Sequence, residues 1–169
     1  RWSPFNVCIA ARRLGVPVRF FGGLSTDLFG EELQAQLERE SVDLSLVRRA
    51  DRPSTLAFVS ETPGQDVKYA FFKENSADRC LTVEDAEAAC DGEPCFGAVH
   101  MSLGAVTFED EQMRAAFSAL FERARSKGAF TCFDPNVRSN MIQGSPEAYR
   151  ARVEEFMSLV DVAKASDAD

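Results

Sequence analysis

Phe130-Thr131-Cys132-Phe133-Asp134-Pro135-Asn136-Val137-Arg138 is a short apolar run that ends abruptly in a carboxylate, a proline, an amide and a guanidinium. Gly128 stops whatever precedes it. Pro135 removes a ladder donor and pushes Asp134 out of the helical region, so the run reads as a strand that stops at Asp134. Such a strand delivers polar groups to its own carboxyl edge. In open α/β sheets, ligands sit in the crevice beyond the carboxyl ends of the strands, so Asp134, Asn136 and Arg138 would face a ligand if the rest of the chain builds such a sheet.

Outward from this stretch the pattern alternates. Residues 96–103 read as a strand. Thr107 and Asp110 form a cap for a helix whose stripe of Phe108, Met113, Phe117, Leu120, Phe121 and Ala124 is the most regular in the sequence. Beyond the central strand, Ser145-Pro146 opens a helix carrying Tyr149, Val153, Phe156 and Val160, and 161–165 reads as a final strand. Crossover helices of this length imply a parallel sheet covered on both faces, so the fold class is α/β, doubly wound.

Upstream, Ser3-Pro4 starts a helix over about 4–14, with Val7, Ala10, Ala11 and Leu14 on one face and Gly15 as its stop. Residues 16–21 read as a buried strand ending at Gly22-Gly23, and Phe29, Leu33 and Leu37 mark a surface helix over about 28–40. Residues 41–47 follow as a loop or short strand. Two strand-forming runs, 54–61 and 66–73, flank Thr62-Pro63-Gly64-Gln65 and read as a hairpin. Its apolar residues exceed what a solvated hairpin needs, so one face is expected to pack on a partner or a ligand cavity. Thr82 with Asp85 then caps a short helix to about Cys90.

Composition narrows the function classes. The 169 residues are about one domain, with 45% hydrophobic and 27% charged residues, an ordinary globular balance. A net charge of -8 opposes non-specific binding to nucleic acid or to an anionic membrane. Five cysteines without a C-x-x-C spacing, and a single histidine, His100, disfavour zinc. Cys8 and Cys132 lie in apolar patterns and read as small buried hydrophobes of a reduced, cytoplasmic protein. The sequence has no signal peptide or membrane-length apolar run, and its start at Arg1 without a methionine reads as a fragment.

Six separated segments share one resemblance. Ser3-Pro4-Phe5-Asn6-Val7 followed by Ala10-Ala11-Arg12-Arg13-Leu14-Gly15 is similar to GGAPxNVAxxxARLG, and Asp27-Leu28-Phe29-Gly30 to D-x-F-G. Pro53-Ser54-Thr55-Leu56-Ala57-Phe58 resembles P-T-x-x-A-F, and Phe72-Lys73-Glu74-Asn75-Ser76-Ala77-Asp78 resembles Y-R-x-x-x-A-D. Asp134 to Arg138 resembles D-P-N-x-R, and Asp161 to Asp169 resembles D-I-V-x-x-N-x-x-E. In this order and spacing the chain is identified as a member of the PfkB, or ribokinase-like, carbohydrate kinases, in their fructokinase and 2-keto-3-deoxygluconate kinase branch.

The resemblance implies a ribokinase-like, doubly wound and mostly parallel sheet with a small β-hairpin lid at about 53–78. It also implies an incomplete domain over 1–169, with the family's first strand and its C-terminal half, including the G-A-G-D motif that carries the base and anion hole, outside these residues. The implied activity is phosphoryl transfer from ATP, with Mg2+, to a sugar hydroxyl, by a protein that is a homodimer through its lid. Residues 1–169 alone would be inactive. A non-catalytic sugar-binding or interaction module of the same fold is the alternative, and a dinucleotide-binding domain lacks its G-x-G-x-x-G.

Each implied site residue has a plainer reading beside it. Asn6 contacts a sugar hydroxyl or satisfies a helix end; Phe58 and Phe72 line the sugar's apolar face or form hairpin core. Lys73, where Arg is usual, touches the sugar or is a solvated strand end. Asp134 and Asn136 shape a turn or touch ligand, and Arg138 stabilises charge on the reacting groups or is a surface cation. Lys164 and Ser166 would lie at the nucleotide phosphates and Asp169 at the metal, with Ser166 and Asp169 standing where Asn and Glu are usual; a hydrated carboxylate near a chain end is the plainer reading of Asp169.

Overall fold

The computed structural model describes residues 3–60, 68–91, 96–102, 109–137, 142 and 144–165. Helix α1 (Ser3–Arg13) buries Phe5 and Ile9, one turn apart, and ends at Gly15, whose φ of +85° is the left-handed conformation glycine supplies. The strand expected at 16–21 lies further along the chain. Residues 18–20 only bridge to Asp43, with Asp43 N–H donating to the Val18 carbonyl at 2.9 Å and Phe20 N–H to the Asp43 carbonyl at 3.0 Å. The regular strand β1 is Gly22–Ser25, paired in parallel with β2 (Val47–Ala50).

The glycine pair that reads as the end of a strand is therefore inside one. A Cβ on Gly23 would overlap the Ala77 carbonyl oxygen and come within 2.8 Å of Cys80 Sγ. Glycine stands there because a single 3-10 turn, Ala77–Arg79, presses on the strand backbone. Helix α2 (Leu28–Arg39) follows, and Leu24, Leu37 and Val42 close with Phe5 and Ile9 into a first apolar cluster.

β3 (Leu56–Ser60) and β4 (Lys68–Phe72) form the expected antiparallel hairpin, with Leu56 opposite Phe72 and Phe58 opposite Ala70. Its expected turn, 62–65, lies outside the described residues. The Thr82–Asp85 box is present: the Asp85 carboxylate accepts from Thr82 N–H at 2.9 Å and starts α3 (Val83–Asp91).

A second parallel sheet holds β5 (Ala98–Met101), β6 (Phe130–Phe133) and β7 (Val162–Ala163) in that order. Between β5 and β6 runs α4 (Glu111–Ser126), capped by Asp110, which accepts from Met113 N–H at 3.0 Å; Thr107 and Phe108 lie outside the described residues. Ser145 caps α5 (Pro146–Met157). The Asp161 carboxylate fixes the register of the short β7 by accepting from Thr131 N–H at 2.8 Å and from Thr131 Oγ1 at 2.9 Å. These hydrogen bonds hold the Asp161 carboxyl below its usual range.

Helices α3, α4 and α5 cover one face of this sheet. Phe156 stands edge-on to Phe121 at 4.9 Å and to Phe133 at 5.2 Å, and Met101, Met113 and Leu120 complete a dry core. Each such side chain contributes about 1.5–3 kcal/mol by leaving water. The opposite face differs from the two-sided cover expected of a parallel sheet. Ala98, His100, Phe130 and Val162 are exposed there, so the described residues cover the β5–β6–β7 sheet on one side only. Cysteine burial also differs: Cys80 and Cys90 are enclosed, whereas Cys8 and Cys132 are half-buried. Even so, desolvation pushes the Cys8 thiol up to about 11.

Candidate functional site

The carboxyl ends of the strands gather polar groups, beginning with the chain Ser3, Ser102, Asp134 and Asn136. Ser3 Oγ lies 2.7 Å from Ser102 Oγ, and Ser102 Oγ donates to Asp134 Oδ2 at 3.2 Å. Asn136 sits at φ +44°. Its N–H donates to Asp134 Oδ1 at 3.1 Å and its side-chain Nδ2 to the Ser102 carbonyl at 3.4 Å. Asp134 and Asn136 thus build an Asx turn that fixes the end of β6 against the end of β5. One turn along α1 from Ser3, Asn6 is exposed, and its amide makes no hydrogen bond among the described residues, so it is not spent on a helix end.

A second group of contacts anchors the lid. Asp27 caps α2 by accepting from Phe29 N–H at 3.0 Å and Gly30 N–H at 2.8 Å. The same carboxylate accepts from Ser54 N–H at 2.7 Å and Ser54 Oγ at 2.8 Å, just before β3. Burial alone would raise the pKa of this carboxyl, but the Gly30, Ser54 and Ser25 donors overcome it and hold the pKa down at about 2. Thr55 Oγ1 donates to Asp78 Oδ1 at 2.6 Å, and Ala77 N–H to the Pro53 carbonyl at 2.9 Å, so the hairpin leaves and rejoins the body at one place.

On the lid, Phe58 and Phe72 share a face with Leu56 and meet edge-on at 5.6 Å. At 59% and 63% exposure they are not hairpin core. Phe71 and Val59 point to the opposite face, so Leu56 and Phe58 cannot form one contact surface with Phe71. Lys73, at the return of the lid, is half-buried. Desolvation lowers its ammonium's ordinary value, and the nearby Arg79 cation adds to the effect. Lys164 is exposed just past β7, its N–H donating to the Phe133 carbonyl at 2.9 Å. Arg138, Ser166 and Asp169 lie outside the described residues.

Sequence reasoning missed Ser102, His100 and the anchoring roles of Asp27 and Asp78. Ser102 follows β5 as Asp134 follows β6, and that equivalence of strand ends was the available signal. A cavity of about 790 Å³ is lined by the lid base (Ser54, Thr55, Asp78), the end of β5 (His100, Ser102) and α1, whereas Asn6, Phe58, Phe72, Lys73, Asp134 and Asn136 are not among its walls. Partial burial pushes the His100 imidazole below its ordinary value, and the Asp134 carboxylate opposes that shift. Among the described residues, no three His, Cys, Asp or Glu side chains converge as metal ligands, so those residues supply no ready-made cation cage.

Parallel strands crossed by helices, a hairpin rooted at the strand ends and polar turns along their carboxyl edge define a ribokinase-like α/β protein. The chain belongs to the pfkB family carbohydrate kinases, whose pattern matches residues 3–169. It is 35% identical over 165 residues to a fructokinase of Rhizobium leguminosarum bv. trifolii, covering 98% of this chain and 48% of that protein. To fructokinase-1 of Oryza sativa subsp. japonica it is 31% identical, covering 99% and 50%. The chain thus spans about half the length of the curated relatives it matches.

Among solved structures, the fructokinase of Xylella fastidiosa with bound ATP superposes with a TM-score of 0.85 at 27% identity, covering 99% of this chain and 50% of that one. The fructokinase of Vibrio cholerae O395 in its fructose, ADP and calcium ion bound form gives 0.78 at 26%, covering 99% and 53%. No helix of the described residues is long and apolar enough to cross a membrane.

Proposed function

We propose that this chain carries the sugar-recognising part of an ATP-dependent, fructokinase-like carbohydrate kinase, in which a γ-phosphoryl group passes to a sugar hydroxyl. The observation that carries the reading is the run of polar contacts from Ser3 through Ser102 and Asp134 to Asn136 at the carboxyl edge of the strands, in a chain of the pfkB family. Asn6, exposed and with no hydrogen bond to its amide among the described residues, takes a sugar hydroxyl. Phe58 and Phe72, both exposed on one lid face, cover the apolar side of the ring, and Lys73 reaches a sugar oxygen. Asp134 and Asn136 set the turn that ends β6, and Arg138, two residues on in the sequence, supplies the guanidinium charge that stabilises the transferring phosphoryl.

Lys164 fits a nucleotide phosphate by its charge, its exposure and its place just past a strand's carboxyl end. Ser166 completes that contact, and Asp169 is the carboxylate toward Mg2+, an ion that keeps most of its waters and takes few protein ligands. When bound, magnesium neutralises charge on the phosphates. The base lies outside this chain, so residues 1–169 alone do not turn over. The protein is cytoplasmic, and it pairs as a homodimer through the lid face that carries Val59 and Phe71. Neither nucleic acid nor a membrane surface suits its net charge of -8.

Titration calorimetry of the 169-residue chain with fructose, ribose and 2-keto-3-deoxygluconate tests the recognition step. One of these sugars should bind, and Asn6→Ala should weaken it at least about tenfold, the scale of one lost buried hydrogen bond. In a protein of the relatives' length, Arg138→Ala should lower sugar-dependent ADP release by tens-fold, roughly 2 kcal/mol, with an unchanged melting temperature. Sugar binding without ADP release in that longer protein would favour the non-catalytic module instead. Sugar-dependent ADP release by residues 1–169 alone would show that the base has been misplaced.

A further inference from the structure

β7 is too short to fix its own place in the sheet. It has two residues, Val162–Ala163, both exposed, and only two positions level with β6, Val162 beside Cys132 and Ala163 beside Phe133. An ordinary strand runs to about five or six residues. Yet β7 delivers Lys164, whose N–H donates to the Phe133 carbonyl at 2.9 Å, and which therefore stands level with Asp134 on the carboxyl edge of the sheet. A slip of one residue would carry Lys164 about 3.3 Å along that edge and turn its side chain to the opposite face.

Thr131 supplies the missing register. Phe130 N–H donates to the Gly97 carbonyl and Asp134 N–H to the Met101 carbonyl, so the even-numbered residues of β6 pair with β5, and Thr131 and Phe133 turn their backbone groups toward β7. Asp161 N–H donates to the Thr131 carbonyl at 3.0 Å. In return, Thr131 N–H donates to Asp161 Oδ2 at 2.8 Å, and Thr131 Oγ1 donates to the same oxygen at 2.9 Å while accepting from Asp161 N–H at 3.0 Å. The hydroxyl also lies 3.2 Å from the Leu159 carbonyl, at the exit from α5. A fully buried position in a parallel sheet ordinarily takes valine or isoleucine, because a hydroxyl there costs stability unless it is hydrogen-bonded. The bonds of this hydroxyl all run to residues 159–161, so its effect is spent on where β7 begins.

We infer that Thr131 is a positioning residue for the nucleotide: by gripping Asp161 it fixes the register of β7, and with it the place of Lys164 at the phosphates of ATP. The inference rests on the nucleotide role proposed for Lys164. Thr131 is itself fully buried and touches no substrate. The turn at Asp134 is held from the other side, by Met101 and Ser102, and Asn6 and the lid stand on other elements. Loss of the hydroxyl should therefore be felt by ATP and not by the sugar.

Two measurements test this. In the 169-residue chain, Thr131→Val, which keeps the branched shape without the hydroxyl, should speed hydrogen exchange at the Lys164 amide by about tenfold or more. The Phe130 and Asp134 amides, bonded to β5, should not change, and Thr131→Ser should restore Lys164. An unchanged Lys164 amide, or a rise shared by Phe130 and Asp134, overturns the inference. In a protein of the relatives' length, titration calorimetry should show Thr131→Val weakening ATP about tenfold, Thr131→Ser near the wild type, and sugar affinity unchanged in both. Lys164→Ala should weaken ATP as well, and the double variant no further than Lys164→Ala alone. No ATP binding by the wild type, or none lost in Lys164→Ala, refutes the nucleotide role of Lys164 and the inference with it. A loss in Lys164→Ala with none in Thr131→Val, additive losses in the double variant, or an equal loss of sugar affinity overturns the inference and leaves that role standing. Should Thr131→Val not fold, Asp161→Asn takes its place in each arm, with about a threefold change expected and the same outcomes deciding.

Discussion

Replacing Asp27 by alanine removes one carboxylate that does two jobs, capping α2 and holding Ser54 at the root of the lid. The cap alone is worth about 1 kcal/mol. The two bonds from Ser54, at 2.7 and 2.8 Å, add about 1–2 kcal/mol, since bonds to charged acceptors exceed neutral ones. An independent measure comes from the carboxyl itself, which is held at about 2 against an ordinary 3.8. That difference corresponds to about 2 kcal/mol at most, part of which solvent at this half-buried group screens away.

Asp27→Ala should therefore cost about 2–3 kcal/mol and lower the melting temperature by roughly 7 °C for a chain of this size. The sign with pH follows from the depressed value. The contribution of Asp27 is complete above pH 3.8 and disappears as pH falls toward 2. Urea unfolding of the wild type and Asp27→Ala at pH 7 and in steps below pH 4 should show the two converging in acid. A double-mutant cycle with Ser54→Ala isolates the lid-root contact, with an expected coupling of about 1 kcal/mol or more. Additivity within about 0.3 kcal/mol at pH 7, or a stability gap that persists unchanged into acid, would refute the reasoning.

Other consequences are open to measurement. Gly23→Ala places a methyl group into the Ala77 carbonyl, so the urea midpoint should fall by the equivalent of about 3 kcal/mol, and a neutral result would mean that the 3-10 turn does not press on β1. Phe72→Ser, at a side chain 63% exposed, should cost only about 1 kcal/mol, mostly its edge-on contact with Phe58, while weakening sugar binding in calorimetry. His100, the only histidine, should titrate below 6.5 by NMR. Because its folded value lies below its unfolded one, stability should decline as pH drops through 6.5; an upward-shifted resonance would reverse both statements.

The sequence announced those features that depend on neighbouring residues. Apolar spacing located α2 to within a residue and picked out Met113, Phe117, Leu120, Phe121 and Ala124 as the buried stripe of α4, the capping pair Thr82–Asp85 located α3, and alternating strand formers located the hairpin. β1 was displaced because Gly22-Gly23 looks like punctuation until the turn at Ala77 is brought against it, a contact between residues more than fifty positions apart. Likewise the Asp27 and Asp78 carboxylates fall within recognisable motifs, but their roles as lid anchors come from Ser54 and Thr55 arriving through the tertiary fold. Asp134 and Asn136 were left between turn and ligand by sequence, and the Asx turn with Ser102 makes the turn role explicit.

The meeting of Pro53 and Ala77 across a single 2.9 Å hydrogen bond bears on how this protein can change over evolutionary time. The body sees the hairpin as a closed loop whose two ends are already side by side, so its interior length enters the folding free energy only logarithmically. Residues can be gained or lost beyond Ser54 and Asp78 without shifting the register of any strand in the body. A lineage could therefore exchange the whole hairpin for a shorter or longer one, altering what it covers while inheriting the same parallel strands. The same property makes 54–76 a natural cassette: joining Pro53 to Ala77 by a short glycine-containing turn should give a lidless body that still folds, and grafting a relative's hairpin at those two points should transplant its lid intact.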